Sequence, residues 1–304
     1  MYTSCTAFNL ACPSSIASFG IRFLHHRRVS EAGIARNLRE RFPNTSSMRR
    51  RHLAPLASYL ELPLLPFVTN EVLVPSESKT LHLYEARYLA LLEESLMRKK
   101  KLFVHFVLAP ILVDDSSSEP SFAARYGCLV CIENVERLEV GALVSIRGVG
   151  RVKIVSFLQA DPYLQGVVVP EHDKVPDSPS RLSSKVMEVK EALCSLNSVE
   201  IKLKAPKESL LQTPTANSLV WAEKEPFLDC DEAFIPSLTE RVSFVGFQSV
   251  SGSTPSELLK LQNKKLNAMD LKDTLQRLDD SLELIKENIS MVAARLAIQS
   301  LETQ

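Results

Sequence analysis

The spacing of apolar residues changes from the period of β-strands to the period of α-helices at about residue 179. Before that point the chain consists of short β-branched runs, in which successive side chains point to opposite faces of a sheet. After that point apolar residues recur every three to four positions, which places them on one face of a helix. The change predicts a β-rich domain over residues 61–173 and a helical domain over residues 179–304, joined by a linker over 171–180.

The β-rich part contains a series of short predicted strands and one predicted helix over residues 85–98. The predicted strands are 62–68, 80–83, 102–110, 126–135, 142–149, 151–158 and 163–170. Many short strands with a single helix are typical of a small closed or nearly closed barrel. The stretch "RGVGRV" (147–152) lies between two of the predicted strands, and its two glycines, Gly148 and Gly150, are interpreted as a tight β-turn.

The strongest periodic signal is a heptad pattern over residues 271–296, with apolar positions spaced alternately four and three residues apart. These positions are Leu271, Leu275, Leu278, Leu282, Ile285, Ile289, Val292 and Leu296. The pattern predicts a long helix over 268–300, which packs either in its own bundle, the favoured alternative, or in an intermolecular coiled coil. Thr254 and Glu257 in "TPSE" predict a capping box at the start of an earlier helix.

The first 60 residues carry nine arginines, no lysine and two acidic residues, a balance of +7. Abundant Ser and Arg with little acid is typical of an organelle transit peptide, which we predict over residues 1–55. The predicted location is the chloroplast stroma, with the mitochondrion as the alternative, and a basic nucleic-acid-binding tail is the competing interpretation. No run of 18 apolar residues occurs, so the sequence predicts no membrane span.

Cys128 and Cys131 form a C-x-x-C motif inside a predicted strand. Zinc requires four converging ligands, and a redox C-x-x-C normally opens a helix, whereas strand positions three apart face opposite sides of a sheet. Both residues are therefore interpreted as ordinary buried cysteines, with no metal. The scattered histidines His82, His105 and His172 are interpreted as structural residues with satisfied hydrogen bonds.

The stretch "LHLYEARYLALLEE" (81–94) contains polar side chains that could be read as catalytic. Glu85 falls at the predicted start of a helix, where a carboxylate suits the helix dipole, and Arg87 does not share a helix face with it. We interpret this stretch as a structural corner between a strand and a helix. The sequence also lacks a phosphate-binding P-loop, a G-x-S-x-G motif and an H-E-x-x-H motif. No catalytic, cofactor-binding or metal-binding residue is predicted, and no cofactor is expected.

The same stretch also carries a family resemblance. Residues 62–94 and 127–173 resemble the N-terminal substrate-binding domain of Lon-type ATP-dependent proteases. The matching positions are Leu62-Pro63, Leu65-Pro66, Pro75, Leu81-His82, Tyr84-Glu85, Arg87-Tyr88, Gly127, Gly148, Arg151 and Asp161-Pro162-Tyr163. Ala86 stands where the family often has proline, and residues 181–296 resemble the family's helical bundle more weakly. The chain is similar to plastid-targeted plant proteins that carry a Lon N-terminal domain alone.

The resemblance implies an α+β fold: a PUA-like β pseudo-barrel followed by an all-α helical bundle with a long C-terminal helix. It implies polypeptide recognition without enzymatic activity, because the sequence shows neither the family's ATPase module nor its Ser-Lys protease domain. The expected role is recognition or adaptor work in plastid protein quality control. The expected partners are client polypeptides; a plastid protease or chaperone and a second copy bound through 271–296 are the alternatives. The substrate-binding surface is not predicted.

Two alternatives belong to other functional classes. PUA-like barrels can bind RNA, but residues 61–304 carry a net charge of −7, from 27 basic and 34 acidic residues, and basic and aromatic residues do not interleave there. Nucleic acid is therefore not the expected partner. A peptidase-associated or weak hydrolase activity is the second alternative, and the sequence supplies no nucleophile for it.

Overall fold

The computed structural model describes residues 58–111, 121–174, 178–203, 213–224 and 228–302, so the predicted transit peptide lies outside the described residues. The strands are β1 (Leu60–Phe67), β2 (Ser78–Leu83), β3 (Leu102–Ile111), β4 (Ser121–Arg137), β5 (Ala142–Gln159) and β6 (Gln165–Pro170). The helices are α1 (Ala86–Met97), α2 (Pro179–Leu203), α3 (Pro214–Glu223), α4 (Leu238–Val245), α5 (Pro255–Asp270) and α6 (Thr274–Glu302), with a 3-10 turn at Glu232–Phe234. The predicted α+β class is confirmed.

The strands form one mixed sheet in the order β2-β5-β4-β3-β1-β6, and β6 also pairs with β5. This additional pairing closes five strands into a ring and leaves β2 on the outside of β5, as in a pseudo-barrel. β1 and β3 run parallel, and every other pair is antiparallel. Neighbouring residues alternate between two apolar clusters, as Phe103 and Val104 do, so both faces of the sheet are covered.

The two C-x-x-C cysteines lie on opposite faces of β4. Cys128 belongs to the cluster that α1 and the later helices cover, and Cys131 belongs to the cluster on the other face. The interpretation of both as buried residues is confirmed. Burial raises the pKa of the Cys131 thiol to about 12 and also raises the pKa of Cys128. Neither thiol ionises appreciably at neutral pH, and a thiol that stays protonated is a poor nucleophile.

The predicted turn at Gly148 and Gly150 is wrong, because β5 continues through both residues as a single strand. Their role is close packing. A Cβ atom at Gly148 would lie 2.4 Å from the carbonyl oxygen of Val74. A Cβ atom at Gly150 would lie 2.9 Å from the carbonyl oxygen of Phe234. Glycine lets the loop after β1 and the 3-10 turn pack directly on the strand backbone.

The heptad positions of α6 pack inside the chain. Leu278, Leu282, Ile285 and Val292 are buried in a cluster shared with α2 and α4. The favoured alternative, a helix packed in the chain's own bundle, is therefore what the structure shows, since most of the seam faces the chain's own helices. Self-association through 271–296 stays a prediction. The helix also begins at Thr274 rather than at 268, since α5 ends at Asp270. Within the described ranges, no helix has the length and apolar content needed to cross a membrane.

Three buried ion pairs connect four side chains where the barrel meets the helices. Arg151 of β5 pairs with Asp173, which follows β6, and its Nη2 donates to Glu240 of α4 at 2.9 Å. Arg277 of α6 also pairs with Asp173. All four side chains are almost fully buried, and we call them the junction cluster. Its two arginines and two carboxylates balance in charge, which is the condition under which buried charges are tolerated.

Phe244 of α4 packs against the arginines of the junction cluster. Its ring centre lies 4.1 Å from the Cζ atom of Arg277 and 5.6 Å from that of Arg151. Both guanidinium groups lie within the distance at which a cation is attracted to an aromatic ring. The Nε of Arg277 also donates to the hydroxyl of Ser243 at 2.7 Å. The cluster is therefore enclosed by apolar as well as polar partners.

Candidate functional site

The last two helices, α5 and α6, form an antiparallel pair whose turn rests on the junction cluster. Arg151 donates to the carbonyl oxygen of Met269 at 3.2 Å and to that of Leu271 at 2.8 Å. Arg277 donates to the same Leu271 oxygen at 2.8 Å. These bonds satisfy carbonyls at the end of α5 that have no partner inside the helix. The turn is thereby fixed against the barrel.

One face of α5 is also attached to the barrel. Lys265 forms an ion pair with Glu77 at 2.5 Å, and both side chains are largely buried. The side chain of Gln262 accepts a hydrogen bond from the backbone N–H of Val72 at 3.0 Å. Because α5 is held at its end and along one face, its opposite face is presented at a defined distance from α6.

The start of α5 follows from its local sequence. Thr254 and Glu257 form the predicted capping box, and Pro255 occupies the first helical turn. Just before it, Ser251 donates from its backbone N–H and its hydroxyl to the buried carboxylate of Glu200 in α2, at 2.8 and 3.1 Å. Capping and anchoring together fix the segment 248–254 at the open end of the helix pair.

A cleft of about 210 Å³ lies between α5, α6 and this segment. Four apolar side chains line it: Val250, Leu261, Leu284 and Met291. The other lining residues are Gln248, Ser249, Ser253, Glu257, Lys260, Lys264, Glu287 and Asn288. An apolar concave surface with a few polar groups is the usual form of a ligand-binding site, and this cleft is our candidate functional site.

Two ion pairs cross the cleft from one helix to the other. Lys264 of α5 contacts Glu287 of α6 at 2.7 Å. About two turns away, Arg295 of α6 donates to both carboxylate oxygens of Glu257 at 2.8 and 3.0 Å. Hydrogen bonds from the backbone N–H and the side chain of Thr254, followed by Arg295, lower the pKa of Glu257, which keeps it ionised. We call these two pairs the straps, because they join the helices across the opening.

Two side-chain amides lie beside the apolar floor. Gln248 is only 4% exposed, and its Nε2 has no hydrogen-bond partner among the described residues. Asn288 of α6 is also buried and lines the same cleft. A buried amide without a partner costs free energy, which a ligand with its own amide or carbonyl groups would recover. The main chain of a polypeptide carries such groups at every residue.

The structure places the 81–94 stretch at the corner between β2 and α1, and none of its residues lines the cleft. Glu85 is the N-cap residue, not part of the first turn, and its backbone is extended. For that reason Arg87 reaches it directly, with Nε donating at 2.8 Å, although the two residues do not share a helix face. The His82 ring lies 3.1 Å from the carbonyl oxygen of Val140.

His105 differs from the prediction that the histidines have satisfied hydrogen bonds. It is fully buried and stacked on Phe67, with ring centroids 3.9 Å apart. Neither ring nitrogen has a hydrogen-bond partner among the described residues. Burial, followed by the nearby charges of Lys79 and Lys265, holds the pKa of His105 well below its usual range. The ring is therefore neutral and contributes as a flat core side chain.

The cleft was not predicted from the sequence, although a signal for it exists. Residues 257, 260, 261 and 264 of α5, and residues 284, 287, 288 and 291 of α6, repeat with helical spacing. Each set mixes apolar and charged residues on one face, so neither stands out as a purely apolar stripe. Within the part of the chain that the structure describes, no group of three or more His, Cys, Asp or Glu residues could hold a metal ion.

The chain belongs to the family of ATP-dependent protease La (LON) substrate-binding domains, whose family model matches residues 61–299. Similar solved structures include a Lon N-terminal domain protein from Xanthomonas campestris, at 18% identity and a TM-score of 0.39, covering 72% of this chain and 95% of that one. The N-terminal domain of Mycobacterium avium complex Lon protease has 15% identity and a TM-score of 0.39, covering 75% and 98%. No curated protein matches the chain.

Proposed function

We propose that this protein is a non-enzymatic polypeptide-binding protein in protein quality control, and that the cleft between α5 and α6 binds an apolar segment of its clients. Membership in a family of substrate-binding domains supports the polypeptide class of ligand. The observation that carries the proposal is the cleft itself, in which an apolar floor lies beside the unpartnered amide of Gln248. Apolar side chains would occupy the floor, and the client main chain would pair with the amides.

The test uses the full chain and a permanently unfolded polypeptide, such as reduced and carboxymethylated α-lactalbumin. Replacing Met291 with aspartate introduces a charge at the partly buried edge of the floor. We expect binding at least about tenfold weaker, because burial of an apolar side chain of this size contributes about 1.5–3 kcal/mol. Fluorescence anisotropy of the labelled client measures the affinity. A second variant, Ser249→Trp, should also weaken binding by filling the cleft without adding charge.

The matched control is Met187→Asp on α2, where the methionine is 55% exposed and does not line the cleft. It makes the same chemical change and should leave client binding unchanged. Circular dichroism of each variant verifies that the fold is retained. If both Met→Asp variants bind the client as the parent chain does, the cleft is not the binding site and the proposal is wrong.

We further propose that the protein works in the chloroplast stroma, as an adaptor that presents clients to a protease or chaperone. The support is the composition of residues 1–55, with nine arginines and two acidic residues. Residues 1–55 fused to a fluorescent protein are expected to direct it into chloroplasts. Changing the nine arginines to glutamine should leave the fusion in the cytosol. Import into mitochondria instead would support the alternative location and contradict the plastid proposal.

A further inference from the structure

We propose that the cleft binds the carboxyl terminus of a client, with an apolar last side chain on the floor and the terminal carboxylate at Lys260. This inference rests on the proposed function and specifies its substrate class. It is carried by three features of the cleft: the charge left over on its walls, the length of its opening, and its apolar floor. Each feature restricts the ligand in a different way.

The first feature, the charge left over on the walls, follows from which charged residues of the lining have an ion-pair partner. Both acids of the lining are already paired, Glu257 with Arg295 and Glu287 with Lys264. Lys260 lines the same cleft, is exposed, and has no ion-pair partner among the described residues. With Arg295 counted as the partner of Glu257, three cationic and two acidic side chains leave an excess of one positive charge, on Lys260 of α5. A ligand with one negative charge complements this wall, whereas a free amino terminus finds no unpaired carboxylate there.

The second feature, the length of the opening, is set by the distance between the two straps. Glu257 and Lys264 are seven residues apart on α5, which corresponds to about 10 Å along the helix. An extended chain advances about 3.3 Å per residue, so about three residues fit between the straps. An internal segment lying along the cleft would have to cross both ion pairs, whereas a chain end enters between them. Lys260 lies about one turn from either strap, where the end of such a chain would stop.

The floor selects the last side chain. Leu261, Leu284, Val250 and Met291 offer no charged group below the rim. A leucine or phenylalanine side chain would be removed from water there without the burial of a charged group. The terminal carboxylate of the same residue would stay at the exposed rim beside Lys260. An internal aspartate or glutamate beside an apolar residue would also supply a negative charge. The client chain would then continue on both sides of that residue and would have to cross the straps.

The experiment compares three N-terminally labelled decapeptides of Gly and Ser by anisotropy with the full chain. One ends in leucine with a free carboxylate, the second is its carboxamide, and the third carries Leu-Asp in its middle with an amidated end. We expect the free carboxylate to bind about tenfold more tightly than the other two, as for loss of one charge-assisted contact. Lys260→Glu should abolish that difference. Lys286→Glu, the same change at an exposed residue outside the cleft lining, should preserve it.

The outcomes separate the two proposals. If the carboxylate and the carboxamide bind equally and Met291→Asp weakens both, the cleft binds polypeptides but does not read a terminus, so only this inference is overturned. The same holds if unfolded α-lactalbumin binds through the cleft while none of the peptides does, or if the Leu-Asp peptide binds as tightly as the carboxylate. If neither the peptides nor the unfolded protein depends on Met291, both proposals are overturned.

Discussion

Replacing Asp173 with alanine is expected to lower the free energy of unfolding by about 3–5 kcal/mol. The side chain of Asp173 is 5% exposed and lies between Arg151 and Arg277, whose own side chains are 1% and 0% exposed. Removing the carboxylate leaves two buried guanidinium groups with one carboxylate, Glu240, between them. The loss is therefore mostly the cost of a buried charge without its partner. Urea unfolding of the full chain at pH 7, followed by circular dichroism, measures it.

The matched control is Asp229→Ala, which also removes one carboxylate from an ion pair. Asp229 is 74% exposed and contacts Lys100 at 2.6 Å. Exposed pairs contribute about 1 kcal/mol or less, since water screens both charges. If the alanine variant of Asp173 does not fold, Asp173→Asn keeps the shape and allows the comparison. Equal losses at positions 173 and 229 would contradict our description of the junction cluster as a buried, mutually dependent set.

The pH dependence gives the same prediction a second readout. Burial alone would raise the pKa of Asp173, but its hydrogen bonds and the charges of Arg277 and Arg151 outweigh burial and hold the pKa below its ordinary value. A carboxyl group whose pKa is lowered in the folded state stabilises that state above its unfolded pKa and loses this contribution as the pH falls through the folded value. The difference between parent and variant should be constant from pH 5 to 8, roughly, and shrink below about pH 3.9.

The junction cluster also connects stability with the candidate site. Arg151 and Arg277 both donate to the carbonyl oxygen of Leu271, in the turn between α5 and α6. The position of that turn sets the separation of the two helices, and the straps fix their other contacts. The cleft is therefore a consequence of where the barrel, α4 and α6 meet, rather than of any single helix.

The barrel strands and α6 could be predicted from the sequence, because their signals are local and repeated. Cys128 and Cys131 were assigned to opposite faces of β4 from the two-residue period alone, and the structure confirms it. The capping box of Thr254 and Glu257 was likewise visible in four consecutive residues. Such features need only the geometry of one strand or one helix turn.

The short helix α4 could not be predicted in the same way. Its residues from Glu240 to Val245 are all buried, so the helix shows no polar face and no helical period. Glu240 and Arg241 are charged, and charged residues in a sequence usually indicate an exposed position. They are buried because partners from distant segments satisfy them: Arg151 for Glu240, and the carbonyl oxygens of Pro236, Ala222 and Lys224 for Arg241.

The junction cluster and the cleft depend on contacts between distant parts of the chain. Arg151 and Arg277 share Asp173 although they are far apart in sequence, and Arg277 directly precedes Leu278 of the heptad seam. The neighbouring residues in the sequence do not distinguish a buried arginine at the edge of the heptad seam from an arginine that is exposed to water. For the same reason Lys260 and Lys264 look equivalent in the sequence, and only the structure shows that Glu287 pairs with Lys264.

Replacing Phe244 with alanine is expected to cost about 3–5 kcal/mol of unfolding free energy. The ring is 0% exposed and belongs to the core cluster between the sheet and the helices. Its loss leaves a cavity and removes the aromatic face on which Arg277 and Arg151 lie. Phe244→Leu should cost less, because leucine fills most of the space that the ring occupied. The remaining cost reflects the loss of the ring beside the two guanidinium groups. Urea unfolding of both variants at pH 7 measures the two costs.

Tyr59→Ala is the control, since this ring is 63% exposed and its removal should change the unfolding free energy by no more than about 0.5 kcal/mol. A loss below about 1 kcal/mol for Phe244→Ala would mean that the helices repack around the missing ring. The double variant with Asp173→Ala should lose less than the two single losses combined, because both act on the same arginines and contacting residues are not additive. Full additivity would show that the ring and the carboxylate stabilise the junction independently, and the junction cluster would then not be one unit.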